Sequence, residues 1–89
     1  MKKLIEVQEV EGEGLVKLMG EQVMLFCVNY IYTGKLIGVN EAYVLLENPS
    51  IVYETGPFGD KKFKDAQALP FEHYVQISAI ESFGKTDKR

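Results

Sequence analysis

Hydrophobic and polar residues alternate along the centre of this chain. Apolar side chains recur at every second position there, which is the period of a strand with one buried face. That face is predicted to carry Val23, Leu25, Cys27, Leu36, Val44 and Leu46. The alternation predicts a small sheet whose central strands share one hydrophobic core.

Three strands are predicted from this alternation, over about residues 22–28, 31–39 and 42–47. The first is apolar on both faces, so both faces must be covered. The sheet interior covers one face, and a short helix, the N-terminal residues or a neighbouring subunit covers the other. The pair Asn40-Glu41 is predicted to form the tight turn before the third strand, because asparagine tolerates the left-handed backbone of such turns.

Gly34 and Gly38 lie four positions apart in the second strand, on the same face of its predicted register. Because glycine weakens a flat strand, such a pair indicates a sharp bend or a closely approaching backbone. Strands bent in this way allow a small sheet to curl into a barrel. We therefore expect a mostly β, strongly bent small barrel.

The pattern is less regular after the third strand. Asn48-Pro49-Ser50 is predicted to interrupt the ladder, because proline has no N–H to donate. Residues 55–70 contain turn chemistry and lysines and are predicted to be an irregular insertion. Two further strands, at 71–77 and 80–83, are joined by the short connection Ser78-Ala79, which brings the predicted total to five strands.

The ends of the chain complete the predicted domain organisation. Helical spacing of apolar residues between Leu15 and Gly20 predicts one or two helical turns before the first strand. The 89 residues have room for one domain. We divide them into an N-terminal arm (1–12), a barrel domain (13–84) and a polar, frayed C-terminal tail (85–89).

Charge and cysteine content narrow the function classes. The net charge of −3, from 13 acidic and 10 basic residues, excludes the broad basic surface of a non-specific duplex binder. No apolar run reaches the roughly 20 residues that span a bilayer, and glutamates interrupt the first residues before a signal-peptide core forms. The single cysteine, Cys27, fits a reducing compartment, so we expect a cytoplasmic protein without membrane partners.

The sequence pattern contains no catalytic or metal-binding constellation. Cys27 falls in a core strand, where a thiol is inert. His73 lies among apolar neighbours, without the cysteine or carboxylate spacing of a metal site. Glu41 and Glu47 need not face each other, so paired-carboxylate catalysis lacks support. We expect no enzyme activity, no metal and no cofactor.

Two blocks of sequence resemble the Sm and Sm-like (LSm) family. Residues 32–41 are similar to the first Sm motif, in which Gly-x-Leu-x-Gly precedes an acidic residue and a turn. Residues 75–83 are similar to the second motif, and their Ala-Ile step also resembles that of the bacterial RNA chaperone Hfq. The likeness covers about residues 13–84, and residues 47–58 more loosely resemble short Sm-like proteins of phages and bacteria.

This resemblance implies a five-stranded, Sm-like (SH3-type) barrel with a short N-terminal helix. It also implies a homo-oligomeric ring of five to seven subunits, in which the fourth strand of one copy pairs with the fifth strand of the next. The interface residues would then be Phe71, Val75, Ile77, Ile80 and Phe83. The family's function implies that the ring binds single-stranded RNA.

The RNA-binding residues expected from the resemblance and from the residue types are Asn40, Tyr43, Ser78, Lys61 and Lys62. The ring of Tyr43 can stack on an unpaired base, or it can cap the barrel or an interface. Asn40 and Ser78 have alternative roles in satisfying the backbone of a turn. The chain departs from the family at two points. Val44 stands where family members have the asparagine that reads the base, and Ser78-Ala79 stands where they have Arg-Gly.

Other interpretations remain open. The acidic charge and the missing cations favour an oligomeric scaffold or protein-interaction ring that does not bind nucleic acid. An enzyme ranks third, for want of a catalytic constellation. Another small barrel, SH3-like or OB-like, is the alternative fold, although the two-residue corner and the glycine spacing argue against it.

Overall fold

The fold is mostly β, as predicted. The computed structural model describes residues 14–89, which form one six-stranded antiparallel sheet and two short 3-10 helices. The strands are β1 (Gln22–Cys27), β2 (Ile31–Val39), β3 (Tyr43–Glu54), β4 (Asp65–Ala68), β5 (His73–Gln76) and β6 (Ile80–Lys85). The sequence predicted five strands. The additional one, β4, was missed because all four of its residues are exposed and show no apolar alternation.

A five-residue 3-10 helix, Gly14–Leu18, stands where one or two helical turns were predicted. Gly20, two residues after the helix, has a positive φ, which a helix cannot continue through. Leu15 and Leu18 are half-buried against the main core. The second 3-10 helix, Ile77–Ala79, joins β5 to β6. The predicted N-terminal arm lies outside the described residues.

The sheet is open, with strand order β4-β3-β2-β1-β6, and β5 also pairs with β3. Two short strands, β4 and β5, therefore pair with the same edge of the long strand β3. Its residues 43–46 pair with β5, and its residues 50–54 pair with β4. One border of the sheet is thus formed by β5 and β4, and the other by β6.

The run Asn48-Pro49-Ser50 does not end β3, contrary to the sequence prediction. Lys35 pairs with Glu47 and Thr33 pairs with Ser50, so Asn48 and Pro49 together lie opposite a single residue of β2. Asn48 takes a left-handed backbone with φ 49°, and Pro49 is buried. A bulge of this kind leaves one residue out of the ladder, which is why proline is tolerated there.

Both glycines of β2 coincide with shifts in its pairing to β3, and irregularities of this kind are typical of a bent strand. A Cβ atom on Gly34 would lie 3.1 Å from the carbonyl oxygen of Glu47, so this glycine also permits a close backbone approach. The prediction that the two glycines share a face is wrong. Gly34 pairs with the core residue Val23, whereas Gly38 pairs with Leu45, because the bulge before Gly38 reverses the side that it faces.

One hydrophobic cluster forms the main core between the central strands. Its apolar side chains alternate along β1, β2, β3 and β5, as the period of two requires. The buried members are Val23, Leu25, Leu36, Val44, Leu46 and Val75. Cys27 is half-buried beside them.

The second apolar face of β1 is partly covered by the C-terminal half of the chain: Met24 is buried and Phe26 is half-buried, whereas Val28, just after the strand, is 68% exposed. Met24 and Val52 are 5% and 2% exposed, but they lie outside the main cluster, on the opposite face of the sheet. Met24 lines a groove with Phe58, Phe83 and residues 84–87. Among the described residues, the 55–64 loop and the C-terminal tail thus supply part of the cover that the sequence assigned to a helix, the N-terminal residues or another subunit.

The C-terminal tail is docked, although the sequence predicted a frayed end. Arg89 N–H donates to the Lys61 carbonyl oxygen at 2.9 Å, and Phe63 N–H donates to the Arg89 carbonyl oxygen at 3.2 Å. Lys88 is 1% exposed, and its ammonium donates to the carbonyl oxygens of Pro57 and Asp60 at 2.8 Å each. The polar residues are held because their donors satisfy carbonyl groups of the loop.

Candidate nucleic-acid interface

The β2–β3 turn and the β5–β6 corner meet at one end of the sheet. Ile77 N–H donates to the Ala42 carbonyl oxygen at 2.9 Å, which joins the two segments. Between them lies a shallow cavity of about 460 Å³, which we call the turn–corner cleft. It is lined by Glu41, Ala42, Tyr43, Gln76, Ile77 and Ser78. Two sequence blocks more than thirty positions apart thus form one surface.

Tyr43 presents an aromatic ring at this cleft. It is the first residue of β3 and is 41% exposed. Its ring packs edge to face against Tyr74, with centroids 4.9 Å apart and an interplanar angle of 83°. Because Tyr74 supports the edge contact and is itself exposed, the pair offers ring surface on which a planar ligand can stack.

Tyr74 and Gln76 belong to this surface, although neither was among the predicted site residues. Gln76 pairs directly with Tyr43, and Tyr74 occupies the next position on the same face of β5. The intervening residue, Val75, points into the core. The alternation along β5 was therefore the signal that would have placed both residues beside Tyr43.

Asn40 acts as a turn residue in the structure. Its side-chain Oδ1 accepts hydrogen bonds from the backbone N–H groups of Ala42 and Tyr43, both at 2.8 Å. This oxygen therefore fixes the turn that presents Tyr43, rather than remaining available to a base. Ser78 lies in the second 3-10 helix, is exposed and lines the cleft.

Lys61 and Lys62 lie away from the cleft, in the loop that follows the far end of β3. The twelve residues of β3 separate this loop from Tyr43. The Lys61 ammonium instead contacts Asp87 in the C-terminal tail, with Nζ and Oδ2 2.6 Å apart. The structure therefore does not join the predicted lysines to the predicted aromatic site, and the acidic side chain of Glu41 remains the charged group at the cleft.

The predicted interface residues divide by exposure. Val75 is a core residue, 4% exposed, and Ile77 and Ile80 pack against the core. Their side chains thus supply little surface to a partner, because they complete the fold of their own chain. Phe71 and Phe83 are 80% and 42% exposed, next to β5 and within β6 respectively.

The sheet borders beside these phenylalanines are unpaired within the described residues. In residues 14–89, β5 pairs with β3 alone and β6 pairs with β1 alone. The outer backbone groups of both strands are therefore available for pairing with another strand.

The titratable side chains outside the cleft have structural surroundings. Burial, followed by the negative charge of Glu81, raises the pKa of the Cys27 thiol. Burial also raises the pKa of Tyr32, and the nearby Cys27 and Tyr30 raise it further. His73 stacks on Tyr32 with ring centroids 5.4 Å apart. No group of three metal-ligating side chains occurs in the described part of the chain.

No protein-family model and no curated protein matches this sequence. Within residues 14–89, every helix is too short or too polar to cross a bilayer. Because no comparison indicates a function, our proposal is based on the turn–corner cleft and on the two unpaired borders of the sheet.

Proposed function

We propose that this protein is a subunit of an Sm-like ring that binds single-stranded RNA at the turn–corner cleft. The observation that carries this proposal is the meeting of Tyr43, which follows the block that resembles the first Sm motif, with Ser78, which lies in the block that resembles the second. The strand order β6-β1-β2-β3-β5, with a bent β2, supports an Sm-like barrel. In this interpretation β4 is an added strand on the second half of β3.

The unpaired borders supply the physical reason for a ring. Exposed strand edges promote aggregation unless another strand covers them. We infer that β6 of one copy pairs with β5 of the next, a head-to-tail contact that closes when the rotation between copies allows it. Phe83 on β6 and Phe71 beside β5 would bury apolar surface in that contact. The expected assembly contains five to seven subunits.

RNA binding would depend on stacking rather than on charge. Stacking of one base on an aromatic ring contributes about 1–3 kcal/mol, and Tyr43 offers such a ring. Ser78 and Gln76 add a hydroxyl and an amide for polar contacts to a base. Because no cation lines the cleft, we expect a shallow dependence of affinity on salt. One weak site per subunit becomes useful through avidity around the ring.

Size-exclusion chromatography with light scattering at micromolar concentration tests the ring. We expect a mass of five to seven times the 10.1 kDa of the chain. Phe83→Lys should reduce the assembly to smaller species, because it places a charge on the β6 edge. Val16→Lys is the matched control, since Val16 is an exposed apolar residue outside β5 and β6. A monomeric parent protein would contradict the ring.

Fluorescence anisotropy with U-rich and A-rich oligonucleotides, at low and moderate salt, tests the site. Tyr43→Ala should weaken binding by about tenfold or more, as expected for the loss of base stacking. Tyr53→Ala is the control, because Tyr53 lies on the same strand and is 51% exposed, but at the opposite end. Equal affinity of Tyr43→Ala and the parent protein would refute the stacking site.

A ring that does not bind nucleic acid is the second candidate. It is favoured by the carboxylate of Glu41 at the cleft and by the net charge of −3. Electrostatic attraction to RNA is strongest at low salt. An assembled protein that ignores all oligonucleotides at low salt would therefore indicate a scaffold or protein-interaction ring.

A further inference from the structure

A second cavity, lined mainly by polar side chains, lies on the sheet face opposite the main core, where the C-terminal tail meets the start of β1. Its volume is about 500 Å³. It is lined by Gly20, Gln22, Thr33, Lys35, Asn48, Ser50 and Arg89, and we call it the tail cavity. Thr33 pairs with Met24 on one side and Ser50 on the other, so adjacent strands form its floor. It shares no lining residue with the turn–corner cleft.

The charged residues of the tail cavity are both cations, in a chain whose net charge is −3. Lys35 and Arg89 form no ion pair with a carboxylate among residues 14–89. Glu47 is the cross-strand partner of Lys35 in the β2–β3 register, but the two side chains form no ion pair and Glu47 does not line the cavity. Both charged side chains that line the cavity are therefore positive, and neither is engaged in an ion pair within residues 14–89.

The tail positions Arg89 at this cavity. The Arg89 guanidinium Nη1 lies 3.4 Å from Gln22 Oε1, whereas its main chain is bound to the loop through Lys61 and Phe63. The neighbouring residue, Lys88, is buried and anchored to loop carbonyls. Arg89 and Lys35 thus line the same cavity, and within residues 14–89 the guanidinium uses one donor, toward Gln22, which leaves its other donors for a ligand.

We propose that the tail cavity binds a phosphomonoester dianion. A monoester carries a charge near −2 at neutral pH, which Lys35 and Arg89 together match. The guanidinium fork suits phosphate oxygens, and Ser50 and Asn48 add a hydroxyl and an amide to the lining. The volume is that of a site for a small phosphorylated metabolite. A backbone phosphodiester, with one charge, would leave one cation unneutralised.

Titration of the ¹⁵N-labelled protein with adenosine 5′-monophosphate tests this site, with adenosine as the uncharged counterpart. We expect amide shifts at Gly20 and Ser50 with the monophosphate and none with adenosine. Lys35→Gln and Arg89→Gln should each weaken binding by about tenfold, as for the loss of one charge-assisted hydrogen bond. Lys64→Gln makes the same charge change outside the cavity and should have no effect.

Two results would overturn the proposal. One is equal binding of adenosine and the monophosphate, and the other is an equal loss of affinity in Lys64→Gln, which indicates attraction to net charge alone. Dispersed spectra of each variant establish that it is folded.

The phosphomonoester site is independent of the proposed RNA function, and the variants separate the two. Tyr43→Ala should keep its affinity for the monophosphate even if it loses RNA. Lys35→Gln should keep its affinity for an oligonucleotide without a terminal phosphate. If such an oligonucleotide displaces the monophosphate, and Lys35→Gln weakens both, the cavity belongs to an RNA path and the phosphomonoester proposal is wrong.

Discussion

The ammonium of Lys88 lies 2.8 Å from the carbonyl oxygen of Pro57, which precedes it by 31 positions in the chain. The same ammonium donates to Asp60 and lies 5.4 Å from the centroid of the Phe63 ring. Two carbonyl groups and an aromatic face together stabilise a buried cation without a carboxylate. This contact fixes the tail on the 55–64 loop and so helps to cover the second face of β1.

Replacing Lys88 by methionine tests that anchor. The substitution keeps most of the side-chain volume but leaves the carbonyl oxygens of Pro57 and Asp60 without their donor. We expect the free energy of unfolding in urea to fall by about 1–3 kcal/mol. Lys85→Met removes an exposed ion pair to Glu21 and should cost at most about 1 kcal/mol. Equal losses in the two variants would show that the buried ammonium has no special role.

Gly34→Ala tests the close approach of β2 and β3. The new Cβ would lie 3.1 Å from both the Glu47 carbonyl oxygen and the Leu46 Cβ, and a strand cannot yield there without moving backbone. We expect a loss of about 1–3 kcal/mol in the free energy of unfolding. Gly59→Ala is the control, because nothing lies within 4 Å of its added Cβ. A Gly34→Ala protein as stable as this control would exclude the tight contact.

The Cys27 thiol should react slowly with iodoacetamide at pH 8 compared with the urea-unfolded chain. Burial is the main cause of its raised pKa, and the thiolate is the reactive form. Removing the nearby negative charge by Glu81→Gln should increase the rate in the folded protein, whereas Glu72→Gln should not. Equal rates for the folded and unfolded chains would contradict a protected thiol.

Because the pKa of the Cys27 thiol is raised in the folded protein, this residue should lower the stability of the fold at alkaline pH. The unfolded thiol ionises first, so the contribution of Cys27 to stability is complete below its ordinary pKa of about 8.5. That contribution is lost as pH rises through the raised pKa of the folded state. Cys27→Ala should therefore reduce the loss of stability between about pH 8 and pH 10.

The pKa of Asp87 should lie below the ordinary aspartate value of about 3.9. The hydrogen bond from Lys61 is the first cause of its lowered pKa, and the charge of Lys61 is the second. The tail contact is therefore complete above that range and weakens as pH falls through the lowered pKa. Carboxyl chemical shifts should show the pKa of Asp87 rising in Lys61→Gln and unchanged in Lys64→Gln, and no rise in Lys61→Gln would refute this pairing.

The central strands and the cleft were largely predictable from local patterns. Alternation placed Val23, Leu25 and Leu46 in the core, because a half-buried strand has a period of two. A turn at Asn40 was predicted from the left-handed backbone that asparagine tolerates, but Asn40 does not have a positive φ, and the turn is fixed instead by side-chain bonds to two backbone N–H groups. Tyr43 and Ser78 were proposed for one site, and they do line one cleft.

Other features depend on contacts between distant segments. Pro49 indicated the end of a strand, but the unpaired position opposite Gly34 admits it within β3. Lys61 was predicted to bind RNA together with Tyr43, but the length of β3 separates the two residues. The tail contains only polar and charged residues after Lys85, and no local pattern indicates that Lys88 is buried.

The sequence by itself determined that the fold is mostly β, the first two central strands and the start of the third, the pairing irregularities at the glycines of β2 and the short corner that completes the cleft. Each of these follows from the conformational preferences and the periodicity of neighbouring residues. Only the tertiary structure decided that β3 runs through its proline, that the 55–64 loop and tail cover β1, and that Lys35 and Arg89 share a cavity. Those outcomes depend on which backbone donors and acceptors meet after folding, and sequence spacing does not encode that.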